Sequence, residues 1–235
     1  MKRFGILWGG IFVVALAGSM LAVHELDATA GASRPFEEPP YLPSAAFLRY
    51  ASVGYNAMAA DLMWIRATQY FGEELDRRRE ARKSHQGQDP QKRERYKFLY
   101  PLLDRTVSLD PQFMDAYRFG GLLLTVVKRY DGAITLYEKG YAANPDRWEM
   151  PHDLGRLYFL DLKDNEKALH WWSIANEMPG RPGYIPRFIP RLYAQTGQKE
   201  IAIELWKEML EATDNEWLRN TALRELKKLG VTVGE

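Results

Sequence analysis

Apolar residues along this chain form one unbroken run near the start and then a long stretch at three- and four-residue spacing. From Ser44 onward the spacing is helical, as in Leu62, Ile65, Tyr70 and Phe71, or Ile203, Leu205, Trp206 and Leu210. Residues so spaced share one side of a helix. No stretch alternates as strands joined by hairpin turns do. Breakers stand at Asp110-Pro111, Asn144-Pro145, Pro179-Gly180, Gly197 and Asp214, and they divide the chain into helix pairs. Residues 83–92 are polar, contain Gly and Pro, and predict a loop.

The unbroken run is Phe4–Val23, 20 residues without a charge. A helix of that length spans about 30 Å, the thickness of a bilayer core. Lys2 and Arg3 precede it and Glu25 and Asp27 follow it, an asymmetry that leaves the N-terminus in the cytoplasm and sends the rest across. Two readings stay open: an uncleaved anchor, or a signal peptide cut after Ala28-Thr29-Ala30. Both put the remainder outside the cytoplasm. Gly5 and Gly9, then Gly18 and Ala22, have the small-residue spacing that lets two membrane helices approach. Residues 31–43 hold four prolines and read as an extended spacer. The organisation expected is therefore 1–30 as anchor or signal segment, 31–43 as linker and 44–230 as a helical domain.

Within that domain a repeat emerges. With Met114 as position 1, Tyr117, Gly121, Leu124, Ala133, Tyr137 and Pro145 fall at positions 4, 8, 11, 20, 24 and 32. A second unit numbered from Glu149 has Phe159, Ala168, Trp172 and Ala175 at 11, 20, 24 and 27. A third from Gly183 places Tyr193, Ala202, Trp206 and Met209 there. Ala133 to Ala168 is 35 residues and Ala168 to Ala202 is 34. Small residues at 8 and 20 let two helices approach, and aromatics at 11 and 24 fill the space beside them. This pattern resembles the tetratricopeptide repeat, a 34-residue helix-turn-helix unit. Position 8 departs from the pattern, with Arg156 in one unit and Pro190 in another. Pro186 and Pro190 predict a kinked or late-starting helix. A divergent earlier unit is expected over residues 55–79 and 93–109. Residues 215–229 predict a polar-backed terminal helix, capped by Asp214 or Asn215 and ended by Gly230.

The resemblance implies an all-α solenoid, here preceded by the transmembrane segment, with its first helices lining a concave face. Carried over by position, the partner-binding residues would be Asp115, Arg118, Phe119, Leu122 and Thr125, then Met150, Asp153, Leu154, Leu157 and Leu160, then Tyr184, Arg187, Phe188 and Arg191. Arg187 and Arg191 lie on one helix face. With Arg118 they could grip a carboxylate or an acidic peptide; equally, they could pair with neighbouring acids such as Asp153. The resemblance implies a scaffold or chaperone for a protein or peptide partner in the assembly of an envelope complex. That would place it on the periplasmic side of an inner membrane if the source is bacterial. A self-associating structural subunit is the alternative.

Composition narrows the chemistry. The net charge is +1, so no overall field favours nucleic acid. Aromatics make up 13% of the chain, with 7 Trp and 13 Tyr, enough large side chains to pack between helices. There is no Cys, which excludes disulfides, thiolate metal sites and a Cys nucleophile. The four histidines, His24, His85, His152 and His170, lack metal spacing. The carboxylate pairs Glu37-Glu38 and Glu73-Glu74 read as solvated charge. No Gly-rich phosphate loop or nucleophile elbow is present. No cofactor, no metal and no enzymatic activity are expected. Asp61, between apolar neighbours, predicts a turn cap or a basic partner. The mixed-sign run 73–97 predicts a solvated helix and loop.

Overall fold

The computed structural model describes residues 42–83 and 95–231. The anchor or signal segment, most of the linker, His85 and the loop around it lie outside the described residues. Contacts divide the chain into Met1–Leu42 and Pro43–Glu235, and the helices described below all belong to the second unit. Among the described residues no helix is long and apolar enough to cross a membrane, and all regular structure is helical.

The helices are α1 (Ala45–Ala51), α2 (Asn56–Lys83), α3 (Leu99–Leu109), α4 (Met114–Val126), α5 (Tyr130–Ala143), α6 (Glu149–Leu157), α7 (Asn165–Glu177), α8 (Ile185–Gln195), α9 (Lys199–Ala212) and α10 (Glu216–Lys228). A π-helical turn, Tyr158–Leu162, continues α6. The hairpins are α2/α3, α4/α5, α6/α7 and α8/α9, and α10 closes the series. Substantial packing joins only helices one or two places apart in this order. That one-dimensional arrangement is how a repeat array is stabilised, each unit covering its neighbour's apolar face. The array is TPR-like.

Local sequence explains the boundaries. Asp164 Oδ1 accepts from Lys167 N at 3.0 Å and Asn215 Oδ1 accepts from Leu218 N at 3.1 Å, satisfying donors that a helix start leaves unpaired. Of the two caps offered for α10, Asn215 is the one used. Gly230, at φ +81°, ends it as expected. α8 begins at Ile185, so Pro186 sits in the first turn, where its missing N–H costs nothing. Only Pro190 removes an interior bond. Asp61 is exposed and neither caps α2 nor sits in the core.

The repeat residues make the core. Ala133, Ala168 and Ala202 are fully buried, and Tyr137, Trp172 and Trp206 are at most 3% exposed. The small residues opposite them act by contact. A methyl group at Gly121 would overlap the Tyr137 ring, and one at Gly155 would overlap Trp172. So Gly155, not Arg156, holds position 8 of the middle unit. The first helix of that unit runs one residue earlier than numbering from Glu149 predicts.

The extra residue lies in the π turn. The first helices α4, α6 (with its π turn) and α8 are each followed by a left-handed residue: Lys128 at φ 62°, Lys163 at φ 58°, Gly197 at φ 86°. Lys128 is seven residues after Gly121 and Gly197 is seven after Pro190, but Lys163 is eight after Gly155. Between Gly155 and Lys163 lies Tyr158–Leu162, and a π turn spans one residue more than an α turn. It absorbs the insertion that makes Ala133 to Ala168 35 residues.

Gly155→Ala is expected to cost roughly 1–3 kcal/mol in chemical denaturation. Gly183→Ala, where an added methyl group meets nothing within 4 Å, is expected to be near neutral.

Candidate partner-binding face

The one-residue shift re-aims α6. Met150, Leu154 and Leu157, expected on the binding face, are all fully buried. They sit in the core because their positions are one step away from those that face outward. In their place α6 presents His152, Asp153 and Arg156 beside Trp148, which precedes it. Thr125 is also buried, its hydroxyl donating to Gly121 O at 2.8 Å.

The first helices are then linked side by side. Arg118 Nε of α4 donates to Asp153 Oδ2 of α6 at 3.1 Å, and the guanidinium lies 5.7 Å from the Trp148 ring centroid. Asp153 Oδ1 is 2.9 Å from His152 Nδ1, and His152 Nε2 is 2.7 Å from the hydroxyl of Tyr184, the residue that caps the start of α8. A carboxylate only accepts, so Nδ1 carries the proton. Nε2 accepts from Tyr184 when the ring is neutral and donates to it when the ring is charged. His152 and Asp153 are both buried, and each finds partners in this chain, as buried polar groups require. The backbone carbonyl of His152 also accepts from Trp172 Nε1 at 3.0 Å.

The link continues from α8 to α10. The Arg187 guanidinium stands 4.7 Å from the Trp217 ring centroid, and Arg191 donates to Glu225 at 3.1 Å. All three candidate arginines are thus engaged within the fold. Arg118 meets Asp153, the neighbouring acid considered from the sequence; Arg191 meets Glu225. The geometry does not gather them into one anion-gripping cluster. At the other end, Trp64 of α2 packs edge-on against Phe119 with centroids 5.9 Å apart. Phe188 packs against Trp172 with centroids 4.8 Å apart and the rings tilted by 44°.

What stays available is mostly aromatic and weakly charged. Phe119 and Tyr184 are 49% and 38% exposed, Leu160 in the π turn is 50% exposed, Asp115 is exposed and Leu122 is half-buried. Of the residues expected on this face, Arg118, Asp153, Tyr184, Arg187 and Arg191 lie along these contacts, with Asp115, Phe119 and Leu122 beside them on α4. His152, Trp148 and Trp217 belong to it and were missed. The signal that could have found the first two was Gly155 itself, read as the small residue of its unit. A separate cleft of 780 Å³ between α1, α3 and α5 is lined by Arg49, Ser108, Tyr117 and Lys139 among others, and shares no residue with this face. Among the described residues no group of three His, Asp or Glu side chains is placed to hold a metal ion.

No family model and no curated protein matches the chain. Several solved structures do. MamA AMB-1 is 23% identical, over 65% of this chain and 96% of that one, with a TM-score of 0.39. A crystal structure of MamA protein is 14% identical, over 69% and 91%, at 0.40. MamA MSR-1 is 21% identical, over 71% and 99%, at 0.37. At these scores nothing transfers from MamA, and the architecture rests on the helices and contacts of this chain.

Glu225 gives the series a pH dependence. Burial works to raise its carboxyl, but the partners Lys228 and Arg191 outweigh this and hold it below the ordinary glutamate value. A carboxyl lowered by folding adds stability that is complete above its unfolded value and is lost as pH falls through the folded one. Glu225→Gln is therefore expected to be less stable at pH 7 but to lose less stability between roughly pH 5 and pH 3, measured by urea unfolding at each pH.

Proposed function

We propose that this chain is a membrane-anchored, extracytoplasmic TPR-like scaffold or chaperone that holds a protein or peptide segment during assembly of an envelope complex. On this reading Phe4–Val23 is the single membrane pass, and the repeat domain lies outside the cytoplasm, on the periplasmic side in a bacterium. One observation carries the binding role. The linked series Arg118–Asp153–His152–Tyr184 orders three first helices, and it leaves the Phe119 and Tyr184 rings partly exposed on that ordered frame. A surface already ordered loses little conformational freedom on binding, and partly exposed aromatics are the usual anchors of protein recognition. The partner expected is an apolar or aromatic segment. An acidic peptide fits less well, because the arginines are engaged.

A second reading, self-association as a structural subunit, is favoured by Trp217 and Leu223 on α10. They are 59% and 39% exposed at the end of the array, where another copy could extend it.

Photo-crosslinking side chains placed at Phe119 and Tyr184 in intact cells test the two. Adducts with a different protein, absent when the crosslinker stands at exposed Glu204 on α9, are expected. Adducts only of twice the chain's own mass would favour the structural subunit. No adduct from either position would remove the binding role.

A further inference from the structure

We infer that the start of the folded domain rests on the lipid surface, with the exposed side of α1 and the first half of α2 at headgroup depth. Seven of the 14 large hydrophobic side chains exposed in the described structure lie between Phe47 and Ile65. They include Tyr50, Tyr55, Met58 and Leu62, with exposures from 58% to 86%. Single exposed apolar residues need no explanation, but a concentration of this kind marks an interaction surface.

The exposed side of α2 changes character along its length. Met58, Leu62 and Ile65 succeed one another at four- and three-residue steps, which places them on one face. Continuing along that face come Gln69, Glu73 and Asp76, all exposed. The apolar half is the half nearer in sequence to Phe4–Val23, and the half that carries exposed Glu73, Asp76, Arg79, Glu80 and Lys83 is farther away. A surface built for another protein has no reason to follow distance from the anchor in this way, whereas a surface resting on lipid does. The inference rests on the proposal that Phe4–Val23 is held in a membrane.

The side chains suit headgroup depth rather than the hydrocarbon core. Tyr belongs at the boundary, with its ring in the apolar layer and its hydroxyl in the wet one. Arg66 is exposed beside Ile65, where it can reach lipid phosphates. Asp61 is exposed on the same side of the helix and limits how far the helix can sink. Only 23 residues separate Val23 from Phe47, so the tether keeps the patch at high effective concentration over the membrane, and weak intrinsic affinity suffices. Docking in this way would fix which side of the repeat array faces the membrane.

The chain has no Cys, so a single introduced cysteine labels cleanly. Leu62→Cys, Met58→Cys and, as a remote control, Glu204→Cys are each labelled with an environment-sensitive fluorophore in the full chain. The labelled chains are reconstituted into phosphatidylcholine–phosphatidylglycerol vesicles and floated. With brominated lipid, loss of most of the emission at positions 58 and 62 and none at 204 is expected. Co-flotation without quenching at 58 and 62 overturns the lipid contact while leaving the anchor intact. If emission there is blue-shifted but responds to protein dilution instead of bromine, a second copy covers the patch and the inference also falls. A chain that does not float with vesicles refutes the anchor and the lipid contact together.

Discussion

The close approach of two helix backbones at a glycine governs this structure. At Gly121 and Gly155 the ring of a facing aromatic lies where a β-carbon would be. That contact sets how near the helices of a hairpin stand, and so how Tyr137 and Trp172 fill the core. Between hairpins the same device recurs. A methyl group at Gly140 of α5 would meet Met150 Sδ of α6 at 2.7 Å, so α5 also needs a bare backbone where the next unit crosses it. Packing is short-range, unit on unit, and the register of each hairpin is settled locally.

That register sets the character of the outward face. With Gly155 against Trp172, the apolar residues of α6 turn inward, and His152, Asp153 and Arg156 turn toward α4 and α8. Polar groups brought this deep must be partnered, and Arg118, Tyr184 and the Trp172 indole belong to that solution. The series does two jobs at once: it neutralises buried polarity, and it fixes the relative placement of three helices whose exposed rings remain available. At the far end Arg187 and Arg191 do the same toward α10, whose Ala222 and Leu226 pack with Trp206 and Leu210 of α9 to close the core.

Much of this was readable from residue spacing, and the failures share one cause. The second helices were legible because Ala133, Ala168 and Ala202, and the aromatics four residues later, recur almost evenly. The helix caps and the terminal helix were legible because Asn215 and Gly230 have strong local preferences. The first helix of the middle unit was not. Between it and Ala168 lies an inserted residue, and a π turn carries no mark in Tyr158–Leu162 to reveal it. One uncounted residue rotates a helix by about 100°, enough to exchange the face in the hairpin core for the one turned toward the neighbouring first helices. The even 34-residue spacing thus predicts Leu157 on the binding face, where the structure has it in the core, and gives His152 no role. The engagement of the arginines was open for a different reason, because pairing between residues 34 or 35 apart depends on how units stack.

The π turn is central because it absorbs one inserted residue while the contacts on either side keep their register. Deleting Leu160 from that turn and following urea unfolding tests this directly, with deletion of exposed Thr135 from the regular helix α5 as the comparison. One cooperative transition is expected for the Leu160 deletion, within about 1 kcal/mol of the parent, because the turn reverts to α geometry. A loss of several kcal/mol is expected for the Thr135 deletion, which rotates core residues out of place. Equal, severe destabilisation by both deletions would contradict the role given to the turn.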